Sequence, residues 1–181
     1  MVGLVLFLFG LLVTVGMCGY AAVSDFRGYR IPNIISIIIF AAFVVVYGAL
    51  SLLGQEHIVF RPLMNHVGAA LLVFVVTLAL FGLKLFGAGD SKFATVIALW
   101  VGLPGLIPFL FYMSLAGGVI AAFSLVLKRK KLFSSPSEGG WIAKAQEGHP
   151  SIPYGIALAV GALAAFVFIG YFNFSRWGEA F

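Results

Sequence analysis

The chain has 181 residues, 62% of them hydrophobic and only 9% charged, with a net charge of +5 and a mean hydropathy of +1.13. Soluble domains carry about 25% charged residues, so the composition excludes a water-soluble globular fold. The cations are scattered among short loops, which is the pattern of a membrane topology signal and not of a nucleic-acid surface; no nucleic-acid partner is expected.

Taken along the chain, the apolar runs are continuous rather than alternating, which predicts helices and not a barrel. The first span covers 3–24. No Lys or Arg precedes Arg27, and the run is longer than a signal-peptide core, so it is expected to stay in place. It holds Cys18, the chain's one cysteine. A single thiol makes no intrachain disulfide and no multi-thiolate metal site, and reads as a small core residue. A polar turn, 25–33, leads to a second span over 34–54. The loop 55–66 carries His57 and His66 without helical ligand spacing, which reads as a solvated loop with no metal. The third span covers 67–86. From Phe93 to Leu127 no residue is charged. As one helix this stretch would measure about 52 Å against a hydrocarbon core of about 30 Å. The Gly102-Leu103-Pro104-Gly105 and Pro108 breakers divide it into spans over 92–107 and 109–127. A polar loop, 128–150, opens with Lys128-Arg129-Lys130-Lys131 and precedes a last span over 153–172. Trp177 is expected at the membrane interface.

Charge counting supports six spans. With six, Arg27, Arg30, Lys84, Lys92, Lys128, Arg129, Lys130, Lys131 and Lys144 share one face, and only Arg61 and Arg176 lie on the other. Treating 93–127 as one span would spread the cations almost evenly. Lys and Arg concentrate in cytoplasmic loops, so the expectation is an all-α integral membrane protein of one domain, 1–181. It has six transmembrane helices, short loops and both termini on the non-cytoplasmic side.

The same parity puts the chain's two aspartates, Asp25 and Asp90, at the cytoplasmic edge. Ionised carboxylates are expensive at membrane depth and are kept for a use. Two of them close together resist ionising at once and share a proton. Such a pair can hydrolyse a peptide bond: one carboxylate takes a proton from the attacking water, and the protonated partner hydrogen-bonds the carbonyl oxygen. The glycines of Gly87-Ala88-Gly89-Asp90 permit a tight turn and close approach of a substrate backbone. Read separately, each aspartate has a plainer role. Asp90 would cap the helix it begins, and Asp25 would pair with Arg27 or Arg30. Pro32 suits a helix start. His149 and Glu138 lie in the cytoplasmic loop, where His149 could approach the pair and Glu138, with Glu147, could attract a basic peptide. The Lys128–Lys131 cluster reads as a topology signal in contact with anionic lipid.

Asp25-Phe26-Arg27 followed by Arg30-Ile31-Pro32-Asn33 resembles the first catalytic segment of type IV prepilin peptidases. Gly87-Ala88-Gly89-Asp90-Ser91-Lys92 resembles the second, and Ile152-Pro153-Tyr154-Gly155 the segment that opens the family's last span. The resemblance is closest to the short branch serving Flp/Tad-type pili. It implies an intramembrane aspartic endopeptidase of the bacterial inner membrane, with Asp25 and Asp90 catalytic and no cofactor. Gly87, Gly89, Lys92, Arg27, Pro32 and Asn33 would support the two motifs. The implied partners are a prepilin, cut on the cytoplasmic side, membrane lipid and the pilus assembly machinery. Longer members carry a paired Cys-x-x-Cys domain and also N-methylate their product; one cysteine puts methyl transfer in doubt. Two other readings are an archaeal-type preflagellin peptidase of the same superfamily and a small proton-coupled transporter component.

Overall fold

A computed structural model describes residues 1–28, 31–134, 136, 140–148 and 152–180 of the chain. Arg30, Glu138 and His149 lie outside these. Among the described residues the fold is all helical: α1 (Val2–Gly28), α2 (Asn33–Leu52), α3 (Glu56–Val59), α4 (Leu63–Gly82), α5 (Ala88–Lys130), α6 (Trp141–Gln146), α7 (Tyr154–Phe168) and α8 (Phe174–Ala180). Four of them, α1, α2, α4 and α5, are long and apolar enough to cross a membrane, and α7 is a shorter apolar helix.

Prolines and unusual backbone angles set the boundaries. Pro32 and Pro62 sit in extended conformation immediately before α2 and α4, where a missing N–H costs nothing. The third span accordingly starts earlier than its hydropathy suggests and ends earlier too, because Lys84 turns the chain with φ 60°. The first helix differs in the other direction. It runs through the expected polar turn to Gly28, so Asp25 stands in its last turns rather than in a loop.

The uncharged stretch after Phe93 does break, at Gly102, whose φ of 62° and ψ of −177° belong to a region essentially reserved for glycine. The limbs on either side measure roughly 21 Å and 42 Å at 1.5 Å per residue. Pro104 falls in the first turn of the second limb, where proline is tolerated. A broken helix in a membrane protein leaves backbone groups that must find partners inside the protein. Here side chains supply them. His66 Nδ1 lies 2.8 Å from the Leu99 carbonyl, Tyr171 donates its hydroxyl to the Trp100 carbonyl at 2.8 Å, and the Leu103 N–H donates to Asn65 Oδ1 at 3.0 Å. The Arg61 N–H donates to His66 Nε2 at 3.2 Å, so the proton of the imidazole belongs on Nδ1, facing Leu99. A Cβ at position 102 would meet Asn65 Oδ1 at 2.7 Å and the His66 ring at 3.2 Å. His66 is thus a buried brace, not part of a solvated loop, whereas His57 is exposed. A cavity of about 670 Å³, lined by His57, Arg61, His66, Pro104, Pro108 and Tyr171 among others, opens beside the break.

Around this break lies an aromatic core. Phe7, Phe43, Phe60, Trp100, Phe166 and Tyr171 meet mostly edge to face at centroid separations of 5.3–6.5 Å. Trp100 Nε1 donates to the Ile39 carbonyl at 3.0 Å. Trp177 joins the cluster against Phe7 and is buried, so it is a core residue and not an interfacial anchor. Cys18 is fully buried, as its small apolar character suggests. Helix α7 offers a face of small residues, Ala157, Gly161, Ala162 and Ala165, and packs closely against α5 and α1.

Candidate active site

At the other end of α1, about 27 Å from Phe7 along the helix axis, a cleft of about 580 Å³ brings both aspartates together. Asp25, Asp90, Ile31, Pro32, Asn33, Gly87, Ala88, Gly89 and Ile152 line it. Four separate stretches of chain have to be placed for this to happen; the packing of α1 against α2 and α7, and of α2 against α5, places them. The two carboxylates are near enough to act on one another electrostatically.

Asp25 is 5% exposed. Its Oδ2 accepts the backbone N–H of Gly155 at 2.6 Å. Gly155 is the second residue of α7, so the carboxylate sits at the positive end of a helix, where N–H groups have no intrahelical partner. The partner of Asp25 is therefore this backbone rather than Arg27, which is exposed. A Cβ on Gly155 would lie 2.8 Å from the Asp25 Cβ, 3.1 Å from its Oδ2 and 3.2 Å from the Ala21 carbonyl. Nothing larger than glycine fits between α1 and α7 here.

Asp90 is built in the same way on another helix. It occupies the third position of α5, and its carboxyl accepts the backbone N–H of Gly87, the residue that caps the helix. This is the reciprocal half of a capping box, so the capping role read from the sequence is real and coexists with the place in the cleft. A Cβ on Gly87 would come within 2.5 Å of Asp90 Oδ2. One on Gly89 would meet the Ile31 carbonyl at 3.2 Å, because the turn lies directly on the segment before α2. Lys92 Nζ donates to Asn33 Oδ1 at 3.0 Å and so ties the flank of the second motif to the flank of the first. Next to Asp90 in the chain, Ser91 shares a buried hydroxyl contact of 2.7 Å with Thr77 that sets α5 against α4.

Of the residues singled out in the sequence, Asp25, Asp90, Gly87, Gly89, Pro32 and Asn33 line one cleft, Lys92 bonds Asn33 at its edge, and Arg27 is exposed and outside the lining. Gly155 is the residue whose task composition and spacing did not reveal. Its signal was present in Pro153-Tyr154-Gly155, a helix start carrying a glycine where nothing local requires one.

A family model described as the type IV leader peptidase family matches residues 12–122, more than half of the chain and both aspartate segments. The chain belongs to the type IV leader peptidase family. It is therefore a membrane protease whose family acts on prepilins. No curated protein and no solved structure matches the chain.

Proposed function

We propose that this chain is an intramembrane aspartic endopeptidase that removes the N-terminal leader of a Flp/Tad-type prepilin, with Asp25 and Asp90 as its catalytic pair. The observation that carries the reading is the common cleft of the two carboxylates, each accepting a backbone N–H at a helix N-terminus. The cleft accepts a peptide lying against the Gly87–Gly89 turn, with its scissile carbonyl between the acids. The ionised carboxylate takes a proton from water as the water oxygen attacks the carbonyl carbon. The protonated one hydrogen-bonds the carbonyl oxygen and stabilises the charge that develops on it. Proton return to the departing nitrogen breaks the C–N bond and restores the pair. Gly155 holds one oxygen of Asp25 and leaves the other to the reaction. Family membership favours hydrolysis over the transporter reading.

In this proposal α1, α2, α4, the two limbs of α5 and α7 make six crossings of the bacterial inner membrane, with both termini outside and the cleft at the cytoplasmic edge. The charge distribution supports that orientation. The cavity beside Gly102 makes the short first limb workable, because water entering it relieves that limb of crossing the full hydrocarbon thickness. The test is incubation of the purified chain in lipid with a prepilin and mass analysis of the products. A leader and a shortened pilin are expected from the native chain and neither from Asp25→Asn or Asp90→Asn. Intact prepilin after incubation with folded native protein would refute the activity.

A further inference from the structure

Resting on the peptidase reading, we infer that the apolar segment of the prepilin that follows the scissile bond docks in a lipid-facing groove between α2, α4 and the first limb of α5. The groove has a volume of about 440 Å³ and is walled by Asn33, Ile37, Phe40, Phe74, Lys92 and Val96. Asn33 lines both this groove and the aspartate cleft, so the two hollows adjoin at that residue.

Its direction follows from three helices independently. On α2, Asn33, Ile37 and Phe40 fall on one face and lead about 10 Å along the helix away from the cleft. On α5, Lys92 and then Val96 lead away from Asp90. On α4, Thr77 stands level with Ser91, and Phe74 lies one turn further from the cleft. All three rows run from the acids toward the middle of the membrane. Lys92 holds Asn33 at the mouth, Ser36 and Thr95 line the next turn, and the Thr95 hydroxyl is turned back onto the Ser91 carbonyl. Beyond the mouth Ile37 and Phe40 are each more than half exposed, at 59% and 51%.

Such a channel selects its occupant. A peptide leaving the acids along it enters hydrocarbon, where backbone groups must be paired within the segment and side chains must be apolar. An apolar helix beginning a few residues after the cut meets both demands, while the cut itself stays extended in the cleft. The leader then lies on the opposite, polar side of the acids.

The test places the photo-crosslinking residue p-benzoylphenylalanine at Phe40, at Phe74, or at the control position Phe111, which is exposed on the second limb of α5. The full-length chain is reconstituted in phospholipid vesicles with a prepilin, in native and Asp90→Asn backgrounds. The expected result is a prepilin adduct from Phe40 and Phe74, mapping to residues after the cut, and lipid adducts alone from Phe111. Ile37→Trp, which fills the groove, is expected to raise KM several-fold and leave kcat in place. Lipid adducts alone at all three positions, or equal prepilin adducts from Phe111, would overturn the groove while native cleavage continues. Loss of native cleavage would strike the peptidase reading itself, and the groove with it.

Discussion

The two ends of the molecule use polar groups in opposite ways. At the Gly102 end, the Leu99 and Trp100 carbonyls and the Leu103 N–H at the break in α5 are paired with His66, Tyr171 and Asn65, and aromatic rings close around the result. At the aspartate end, each acid is held, among the described residues, by one backbone N–H and opens onto a cleft. The first limb of α5 joins the two: Asp90 stands in its first turn and Trp100 is buried near its end. Under the proposed mechanism, a fixed far end gives the aspartate end a reference, so that packing two to three turns away would aim Asp90. In the proposed enzyme, unsatisfied capacity is kept where the reaction would use it and eliminated where it would only cost stability.

This contrast can be broken at either end. Among changes that leave both acids in place, the largest effect is expected from Gly155→Ala. The added methyl group collides with Asp25 and the Ala21 carbonyl, and displacement of the acid by even an ångström is expected to lower prepilin cleavage by about 100-fold. Initial rates with insertion monitored by protease protection would check it. Gly87→Ala follows, because its methyl group meets Asp90 Oδ2; a loss of roughly tenfold to 100-fold in kcat is expected, since a surface turn gives way more readily than packed helices. At the other end His66→Ala acts on stability first. It orphans the Leu99 carbonyl and the Arg61 N–H, a loss of about 1–3 kcal/mol, read as a lower Tm in detergent with a smaller change in kcat. The mildest is Tyr171→Phe, which removes one hydroxyl from the Trp100 carbonyl and should cost roughly 1 kcal/mol of stability. A Tyr171→Phe chain as inactive as Gly155→Ala would mean that the two ends are not distinct in the way described.

Much of this arrangement was legible in the chain. Asp25 and Asp90 stood out because carboxylates are rare and costly in so apolar a sequence, and the Gly87–Gly89 spacing pointed to a tight turn beside one of them. The break after Phe93 was legible because length alone forbade a single crossing. What could not be read was long-range. His66 resembled a loop histidine because the carbonyl it meets belongs to Leu99, on a different helix, and Trp177 resembled an interfacial anchor because the ring it packs on, Phe7, is at the far end of the sequence. Gly155 was visible only as part of a motif; its task depends on α7 bringing its N-terminus to Asp25, a contact spanning 130 positions. Helix boundaries also shifted where backbone, and not hydropathy, decides them, as with the extension of α1 to Gly28 and the early end of α4 at Lys84.

The most direct test of the account compares cleavage rates of Asp25→Asn, Asp90→Asn and the double variant against one prepilin, with each chain shown to be folded and inserted. Two acids that act as one unit predict that each single change removes roughly 10³-fold or more of the rate and that the double change removes no more than either alone. Substantial cleavage by either single variant, or losses that multiply in the double variant, would contradict it.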